Sequence, residues 1–187
     1  MNRRSILTLA SMALLCLGAS SYAQADETLK FRAIVHATSV QSQGVGDVDG
    51  HLMSVGRFSG IASFPDGAVG TTYFVFVTDY IKGSGTFSTH NNLTLNDGSV
   101  LWYKLNGTTK VEGTISKSQG TVTVLGGTGK YEGAKGDGTI TGVRVPGLAT
   151  GVDRYDDLVI NVKTENKSAE PVSAPAIESA PAKRSRE

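Results

Sequence analysis

The sequence predicts an all-β protein, a barrel or a sandwich of short antiparallel strands. Three observations favour this class: about nine short runs with the alternating or apolar composition of strands, turn signals at close spacing between them, and no stretch with helical periodicity. The chain has 23 glycines among 187 residues. Glycines within strands mark bends and bulges, which a sheet that curls on itself requires. The length fits one domain.

The pattern of residues 1–25 predicts an export signal that precedes the folded domain. Arg3 and Arg4 form a positively charged start, and the apolar run over 6–17 is shorter than the roughly 20 residues of a membrane-spanning helix. Ala23 and Ala25 frame the small-x-small pattern that a signal peptidase recognises. We therefore expect cleavage after Ala25, a periplasmic or extracellular location, and no membrane span in the mature form. An uncleaved membrane anchor is the alternative.

Cleavage would also change the composition of the chain. Cys16 is the single cysteine, so the mature chain has none and can form no disulfide, thiol nucleophile or thiolate metal site. Loss of Arg3 and Arg4 lowers the 18 basic residues to 16 against 17 acidic ones, a net charge of −1. A charge so close to zero does not indicate a nucleic-acid partner.

The first predicted strand covers residues 28–38, where apolar and polar side chains alternate. Its apolar face carries Leu29, Phe31, Ala33, Val35 and Ala37. This is the pattern of a strand with one buried face. A polar, glycine-bearing loop is predicted over 41–50, a second strand over 52–64, and a turn at 65–67, which read Pro-Asp-Gly.

The next predicted strand, residues 71–80, is apolar on both faces. One face carries Tyr73, Val75 and Val77, and the other carries Phe74, Phe76 and Tyr80. A strand covered on both sides predicts that its outer face contacts a neighbour, so we expect a homo-oligomer, a trimer or a dimer. A further alternating strand is predicted over 87–95, with Asn91 on its apolar face.

The second half of the chain is predicted to hold five more strands. Their ranges are 99–105, 111–116, 121–125, 138–145 and 155–163. Hairpin turns are predicted at 96–98, which read Asn-Asp-Gly, and at 106–107, which read Asn-Gly. Residues 164–187 contain three of the five prolines and no aromatic residue. They predict a disordered tail, which leaves one folded domain over 26–163.

The motifs that suggest a cofactor or a metal are incomplete. The glycine-rich run 126–130 resembles a phosphate-binding loop, but Val124 stands where its first glycine belongs, and Tyr131 stands where a Ser or Thr would bind magnesium. Asp47 and Asp49 begin a calcium-loop pattern that lacks its later acidic positions. The three histidines have no paired spacing for zinc. We expect no cofactor and no metal.

Polar and aromatic side chains within the predicted strands are the remaining candidates for a binding site. They are Asp79, Tyr80, Asn91, Trp102 and Tyr103. Inward polar groups among apolar ones line the ligand sites of small barrels, because a buried polar group is costly unless it finds a partner. The alternatives are structural: a turn residue for Asp79, satisfaction of the backbone for Asn91, and ordinary core for Trp102. No residue is identified as catalytic.

Residues 126–136 read GGTGKYEGAKG and resemble a G-G-[TA]-G-x-[FY]-x-x-A-x-G signature of the allene oxide cyclase and dirigent superfamily. Residues 74–80, which read FVFVTDY, look like a cyclase strand that ends in Asp-Tyr. The resemblance covers about residues 28–163 and suggests a bacterial, exported member. It implies an eight-stranded antiparallel barrel with an apolar cavity, often trimeric. One of the nine predicted runs would then be irregular, and we expect it at 52–64.

The resemblance implies two chemistries, of which the cyclase reaction does not follow from this sequence. Plant cyclases fold an unsaturated fatty-acid epoxide for ring closure, and dirigent members direct the radical coupling of phenols. The cyclases use a carboxylate on the first strand, but residues 29–45 contain no Asp or Glu, and the cyclase cysteine has no counterpart after Ala25. The barrel is therefore expected without the cyclase reaction, because a fold alone does not carry function.

Three functions remain open. The first is a binding protein that takes a small apolar or phenolic ligand into its lumen. The second is a cyclase, isomerase or dirigent-like enzyme that acts by orienting its substrate, with polar contacts from Asp79, Tyr80 or Asn91. The third is a filled, non-catalytic barrel that only oligomerises, through an apolar interface on Phe74 and Phe76.

Overall fold

The computed structural model describes residues 24–144 and 153–165, which form eight strands and one short 3-10 turn. The strands are β1 (Gln24–Gly44), β2 (His51–Ser63), β3 (Val69–Ile81), β4 (Ser84–Thr94), β5 (Val100–Glu112), β6 (Ile115–Thr128), β7 (Lys135–Arg144) and β8 (Arg154–Glu165), and the 3-10 turn (Gly129–Tyr131) lies between β6 and β7. Each strand pairs antiparallel with the next, and β1 pairs with β8. The predicted eight-stranded antiparallel barrel is thus confirmed. Within the described part of the chain, no helix has the length and apolar character needed to cross a membrane.

The alternation of the strands builds a single hydrophobic core inside the barrel. Its largest fully buried side chains are Val35, Leu93, Leu101, Tyr103, Val122, Tyr131, Ile160 and Val162. Burial of one large apolar side chain stabilises the fold by about 1.5–3 kcal/mol. The inward faces predicted for 28–38 and 87–95 are confirmed, since Leu29, Phe31, Phe87 and Leu93 are all buried.

The two faces of β3 have different environments. Phe74 and Phe76 point inward and are buried, whereas Val77 on the opposite face is 48% exposed. The expectation of an intermolecular interface on Phe74 and Phe76 is therefore wrong, because both rings belong to the lumen. The outward apolar side chains of this strand are Val69, Tyr73, Val75, Val77 and Ile81.

The ninth predicted run, 111–116, is not a strand of its own: it contains the end of β5, the reversal and the start of β6. The turn predicted at 106–107 is wrong: β5 continues to Glu112, and the reversal occurs at Gly113, which has a φ of +62°. Gly107 instead lies opposite Gly120 within the β5–β6 ladder, and a Cβ at Gly107 would come 2.7 Å from the Phe87 ring. The glycine makes room for a core aromatic ring rather than for a turn. The irregularity expected at 52–64 is also wrong, since β2 is a regular strand.

The first and last strands are longer than predicted. β1 extends to Gly44, so the loop predicted over 41–50 is limited to 45–50. A register shift between Ala37 and Ser39 interrupts the β1–β2 ladder, and Ser42 beyond it hydrogen-bonds to Ser54 at 2.8 Å. β1 starts two residues before the predicted cleavage point and β8 ends two residues after 163. The remainder of the predicted signal and tail lies outside the described residues.

The glycine signature fills one end of the barrel. Gly126, with a φ of +133°, follows a bulge at which Leu125 has no partner in the β5–β6 register. The chain then forms the 3-10 turn, whose Tyr131 is completely buried, and the N–H of Lys130 donates to Ser99 Oγ at 3.2 Å. A Cβ at Gly127 would overlap the Val100 carbonyl oxygen and lie 2.6 Å from Tyr131 Cβ, so only glycine fits at this position. We call this the closed end.

Candidate functional site

A cavity of about 300 Å³ occupies the opposite end of the barrel, which we call the open end. All eight strands contribute side chains to it, near the end of β1, β3, β5 and β7 and the start of β2, β4, β6 and β8. The alternation that buries apolar residues at the closed end therefore directs side chains into this cavity at the open end. We refer to the cavity as the cup.

Aromatic rings form the deepest wall of the cup. The Phe58 and Phe74 rings stack with centroids 5.0 Å apart, and Phe76 lies tilted against Phe58 at 5.4 Å. Phe87 and Leu105 extend this apolar surface. Rings held in such contact present a flat, apolar surface that suits an aromatic or aliphatic ligand.

A row of hydroxyl groups crosses the cup. The Tyr80 hydroxyl and Thr109 Oγ1 are 2.8 Å apart, and Thr109 Oγ1 is 2.8 Å from Ser118 Oγ. The strand register explains the row: Tyr80 pairs with Gly85, Gly85 with Thr109, and Thr109 with Ser118. Because Gly85 has no side chain, the Tyr80 hydroxyl can reach Thr109 across β4. Burial raises the pKa of Tyr80, which keeps the phenol neutral at neutral pH.

The same row continues into a buried ion pair. Ser118 pairs with Gly142, and Gly142 pairs with Asp156. Asp156 Oδ1 accepts from Arg154 Nη2 at 2.5 Å and from Arg154 Nε at 3.1 Å. The side chains of Arg154 and Asp156 are only 15% and 5% exposed. A Cβ at Gly142 would overlap Asp156 Oδ1 and lie 2.7 Å from Arg154 Nη2, so the glycine provides the space for the pair.

The buried carboxyl of Asp156 is subject to two opposing effects. Burial raises its pKa, because the charged form loses hydration, and the Arg154 guanidinium acts in the opposite direction. Burial is the larger effect, so the pKa of Asp156 lies above that of a free carboxyl. An arginine keeps its charge under all ordinary conditions. The cup therefore contains a fixed cation beside a carboxyl that is easier to protonate than usual.

The predicted site residues divide between the two faces of the barrel. Tyr80 lines the cup, whereas Asn91 and Tyr103 point inward beneath it and are buried. Asn91 Nδ2 donates to Thr89 Oγ1 at 2.7 Å and to the Tyr103 carbonyl at 3.1 Å, so its amide serves the strands. Trp102 points outward, with 41% of its surface exposed.

Asp79 also points outward, at the rim of the open end. Its Oδ1 lies 2.7 Å from His51 Nε2, and His51 Nδ1 lies 2.5 Å from Asp47 Oδ1. The two carboxylates raise the pKa of His51 through these hydrogen bonds. Asp79 thus helps to fasten the 45–50 loop to the outside of β3 and does not reach the cup.

Sequence reasoning missed the ion pair, although a signal for it exists. Arg154 and Asp156 are in phase with Leu158, Ile160 and Val162, the inward positions of β8. A period-two extrapolation from these apolar residues places both charged side chains inside the barrel. Charged residues at the start of a strand are usually assigned to its solvated end, so the inward orientation of Arg154 and Asp156 was not predicted.

Solved structures with a similar shape include two dirigent proteins described as pterocarpan synthases. One is 12% identical with a TM-score of 0.48, covering 82% of this chain and 94% of its own. The other is 11% identical with a TM-score of 0.43, covering 76% and 96%. A pyocyanin demethylase is 18% identical with a TM-score of 0.40, covering 71% and 99%. Neither a protein-family model nor a curated protein matches the sequence. The barrel assignment depends on the strand pairing alone.

Proposed function

We propose that the protein is an exported barrel of the allene oxide cyclase and dirigent type that binds a small apolar or phenolic ligand in the cup. The observation that carries this proposal is the cup itself, which is lined both by an aromatic wall and by a row of polar groups. Its volume of about 300 Å³ is at the lower end of the range for small-molecule sites. That size suits a ligand of one or two rings.

The apolar wall and the polar row of the cup contribute to binding in different ways. Every 100 Å² of apolar ligand surface buried against the phenylalanine wall contributes about 2.5 kcal/mol. The polar row contributes less free energy but fixes orientation, because a ligand hydroxyl must find a partner when it leaves water. Tyr80, Thr109 and Ser118 can each accept or donate a hydrogen bond to such a group.

The family proposal relies on the glycine signature together with the barrel that surrounds it. The signature residues build the closed end through the bulge at Leu125 and the buried Tyr131 ring. Among the described residues that line the cup, the one carboxylate is Asp156 on β8 and none comes from β1. A cyclase reaction that needs a first-strand carboxylate is therefore not proposed.

Titration of the purified mature protein with naphthol, a two-ring phenol, tests the binding proposal. We expect saturable binding, measured by naphthol fluorescence, that Leu105→Trp abolishes because the larger ring fills the cup. Lys104→Trp is the matched control, since its side chain points away from the lumen on the same strand. Equal binding by the two variants, each with a cooperative melting transition, would refute the proposal, as would no binding by the wild type.

A second candidate is an enzyme that acts by orienting its substrate, as a cyclase, isomerase or dirigent-like protein would. The observation that favours it is the Tyr80–Thr109–Ser118 row beside the Arg154–Asp156 pair, since these groups can hold and polarise a bound molecule. Incubation with phenols and fatty-acid epoxides, followed by chiral chromatography, tests it. Turnover that Tyr80→Phe and Thr109→Val leave unchanged would remove these residues from the proposal.

We further propose that the protein self-associates through the outer face of β2 and β3. Val55 lies opposite Val77 in this ladder, and both are more than 40% exposed, as is Ile61 on β2. Exposed apolar side chains that pair across two strands, as Val55 and Val77 do, favour an interaction surface. Light scattering should give a trimer or dimer for the wild type and a monomer for Val55→Lys/Val77→Lys. An unchanged mass for the double variant would exclude this face.

Export is tested independently by the intact mass of the secreted protein. Cleavage after Ala25 removes Gln24 and Ala25 from β1, whose pairing with β8 then begins at Asp26 and Lys163. A mature N-terminus at Asp26 supports the proposed processing. An N-terminus that retains residues 1–23 contradicts it.

A further inference from the structure

The open end of the cup carries an excess of positive charge. Its charged lining side chains are Arg144, Arg154 and Asp156. Arg144 lies directly opposite Arg154 in the β7–β8 register, so the two arginines are neighbours on the same side of the sheet. Whether Asp156 is ionised or protonated, it neutralises at most one of them. The lining therefore keeps at least one uncompensated cation.

Arg144 is the arginine that supplies this excess. Among the described residues, no ion pair within 4.0 Å joins Arg144 to a carboxylate. The eight residues that follow it, 145–152, contain no Asp or Glu. The next acidic residue, Asp153, accepts a hydrogen bond from the backbone N–H of Ala37. Two cations side by side with a single acidic partner repel each other unless an anion joins them.

Arg154 also has N–H donors that its ion pair with Asp156 does not use. Its Nε and Nη2 both point to the single oxygen Asp156 Oδ1, whereas a guanidinium has five N–H donors. Burial raises the pKa of Tyr80, and the charges of Arg154 and Arg144 act to lower it. The electrostatic field of both arginines therefore reaches the polar row. The cation pair thus adjoins the hydroxyl groups that would contact a ligand.

We propose that the ligand of the cup carries a carboxylate, which Arg144 and Arg154 hold at the open end while the apolar body lies against the phenylalanine wall. Guanidinium groups bind planar carboxylates through paired N–H donors, which makes them stronger and more directional partners than a neutral hydroxyl. The inference deepens the proposed function and rests on it, since it names the head group of the molecule that the cup binds.

A matched pair of probes separates this proposal from binding in general. Naphthoate and naphthamide have the same two-ring body, and only naphthoate carries a charge. We expect the wild type to bind naphthoate about tenfold more tightly than naphthamide in calorimetry, because the carboxylate gains charge-assisted hydrogen bonds. Arg144→Gln should lower the ratio of naphthoate affinity to naphthamide affinity to about threefold. Arg144 is exposed and has no ion-pair partner among the described residues, so the variant should fold as the wild type does.

Arg57→Gln is the control, because Arg57 is an exposed arginine on the outer face of β2. It should leave the ratio of affinities unchanged although it removes the same charge from the protein. Raising sodium chloride from about 50 to about 500 mM should weaken naphthoate binding and leave naphthamide binding unaffected.

The outcomes distinguish the two proposals. Equal affinity of the wild type for both probes would overturn the carboxylate proposal and leave the cup as a ligand site. A preference for naphthoate that Arg144→Gln does not reduce, or that Arg57→Gln reduces equally, would also overturn it. If neither naphthoate nor naphthamide binds, the carboxylate proposal is overturned; if naphthol does not bind either, the binding proposal is overturned with it.

Discussion

The two ends of this barrel are built from the same eight strands, yet one is filled and the other forms a cup. On β5 the inward positions run from Leu101 and Tyr103 at the closed end to Thr109 at the open end. On β8 they run from Ile160 at the closed end to Asp156 at the open end. The period-two pattern is constant along β5 and β8, but the polarity of their inward positions changes halfway.

This comparison indicates that stability and ligand binding depend on opposite ends of the barrel. At the closed end, aliphatic side chains pack around Tyr131, and the glycine signature positions the turn that carries this ring. At the open end, the hydroxyl row and the ion pair leave space that apolar packing would fill. Substitutions at the closed end should therefore affect unfolding, and those at the open end should affect binding.

The largest effect should come from removal of the closed-end ring. Tyr131→Ala leaves a cavity in the hydrophobic core, and truncation of a buried aromatic side chain costs about 3–5 kcal/mol. Urea unfolding measures this loss. Leu125→Ala, at an exposed position near the same end, should cost about 0.5 kcal/mol or less. A similar midpoint for the two variants would mean that the closed end does not stabilise the barrel.

The next largest effect should come from an unpaired charge in the cup. Asp156→Leu leaves Arg154 without its partner in a nearly buried position, which should cost about 3 kcal/mol in the free energy of unfolding. The double variant Arg154→Met/Asp156→Leu should recover most of this loss, because well-packed apolar groups often replace a buried ion pair at little cost. Thermal denaturation compares the two variants. If the double variant is no more stable than the single one, the penalty has another source.

A smaller effect is expected for Tyr80→Phe, which removes only the hydroxyl that contacts Thr109. The loss of one such hydrogen bond should reduce stability by about 1 kcal/mol and weaken naphthol binding about fivefold. Denaturant titration and fluorescence binding measure the two changes. Tyr73→Phe on the outward face of the same strand is the control. Equal changes for both variants would argue against a role of the hydroxyl row in the cup.

The smallest effect should appear outside the cup, at His51. Its pKa is raised by hydrogen bonds to Asp79 and Asp47, so protonated His51 stabilises the folded state. That stabilisation is complete below the ordinary histidine pKa of about 6.5 and is lost as the pH rises through the raised pKa of the folded protein. Hydrogen exchange of the 45–50 loop should therefore accelerate with pH beyond its intrinsic rate increase.

The matched variant is His51→Gln, which keeps hydrogen-bonding capacity without a titrating charge. Loop exchange in this variant should follow the intrinsic pH dependence alone. Naphthol binding should be independent of pH across the same range in both proteins, because His51 lies on the outer surface. A loss of naphthol binding on deprotonation of His51 would show that the rim and the cup are coupled.

The barrel could be predicted from sequence because its signals are local. The alternation of apolar and polar residues predicted the inward faces of 28–38 and 87–95, and the glycine signature indicated that the sheet closes on itself. The turn predicted at 106–107 failed for the converse reason. An Asn-Gly pair is a strong local turn signal, but the Phe87 ring beside Gly107 is a tertiary contact that no local pattern contains.

The site could be predicted only in part, because adjacent residues on a strand point to opposite faces. Asp79 and Tyr80 could not both reach the lumen, and the same applies to Trp102 and Tyr103. The choice within each pair required the phase of the buried positions along the strand. Recognition of Arg154 required that phase to be extended beyond the apolar part of β8.

The most direct test of the central claim, that the cup is the ligand site, is an NMR titration of the isotope-labelled protein with naphthol. The account predicts amide shift changes concentrated at Tyr80, Thr109, Ser118 and Asp156, with Leu93, Leu101 and Tyr131 unchanged. Shift changes centred on the closed end or on the outer face of β2 and β3, or no changes at saturating naphthol, would contradict it.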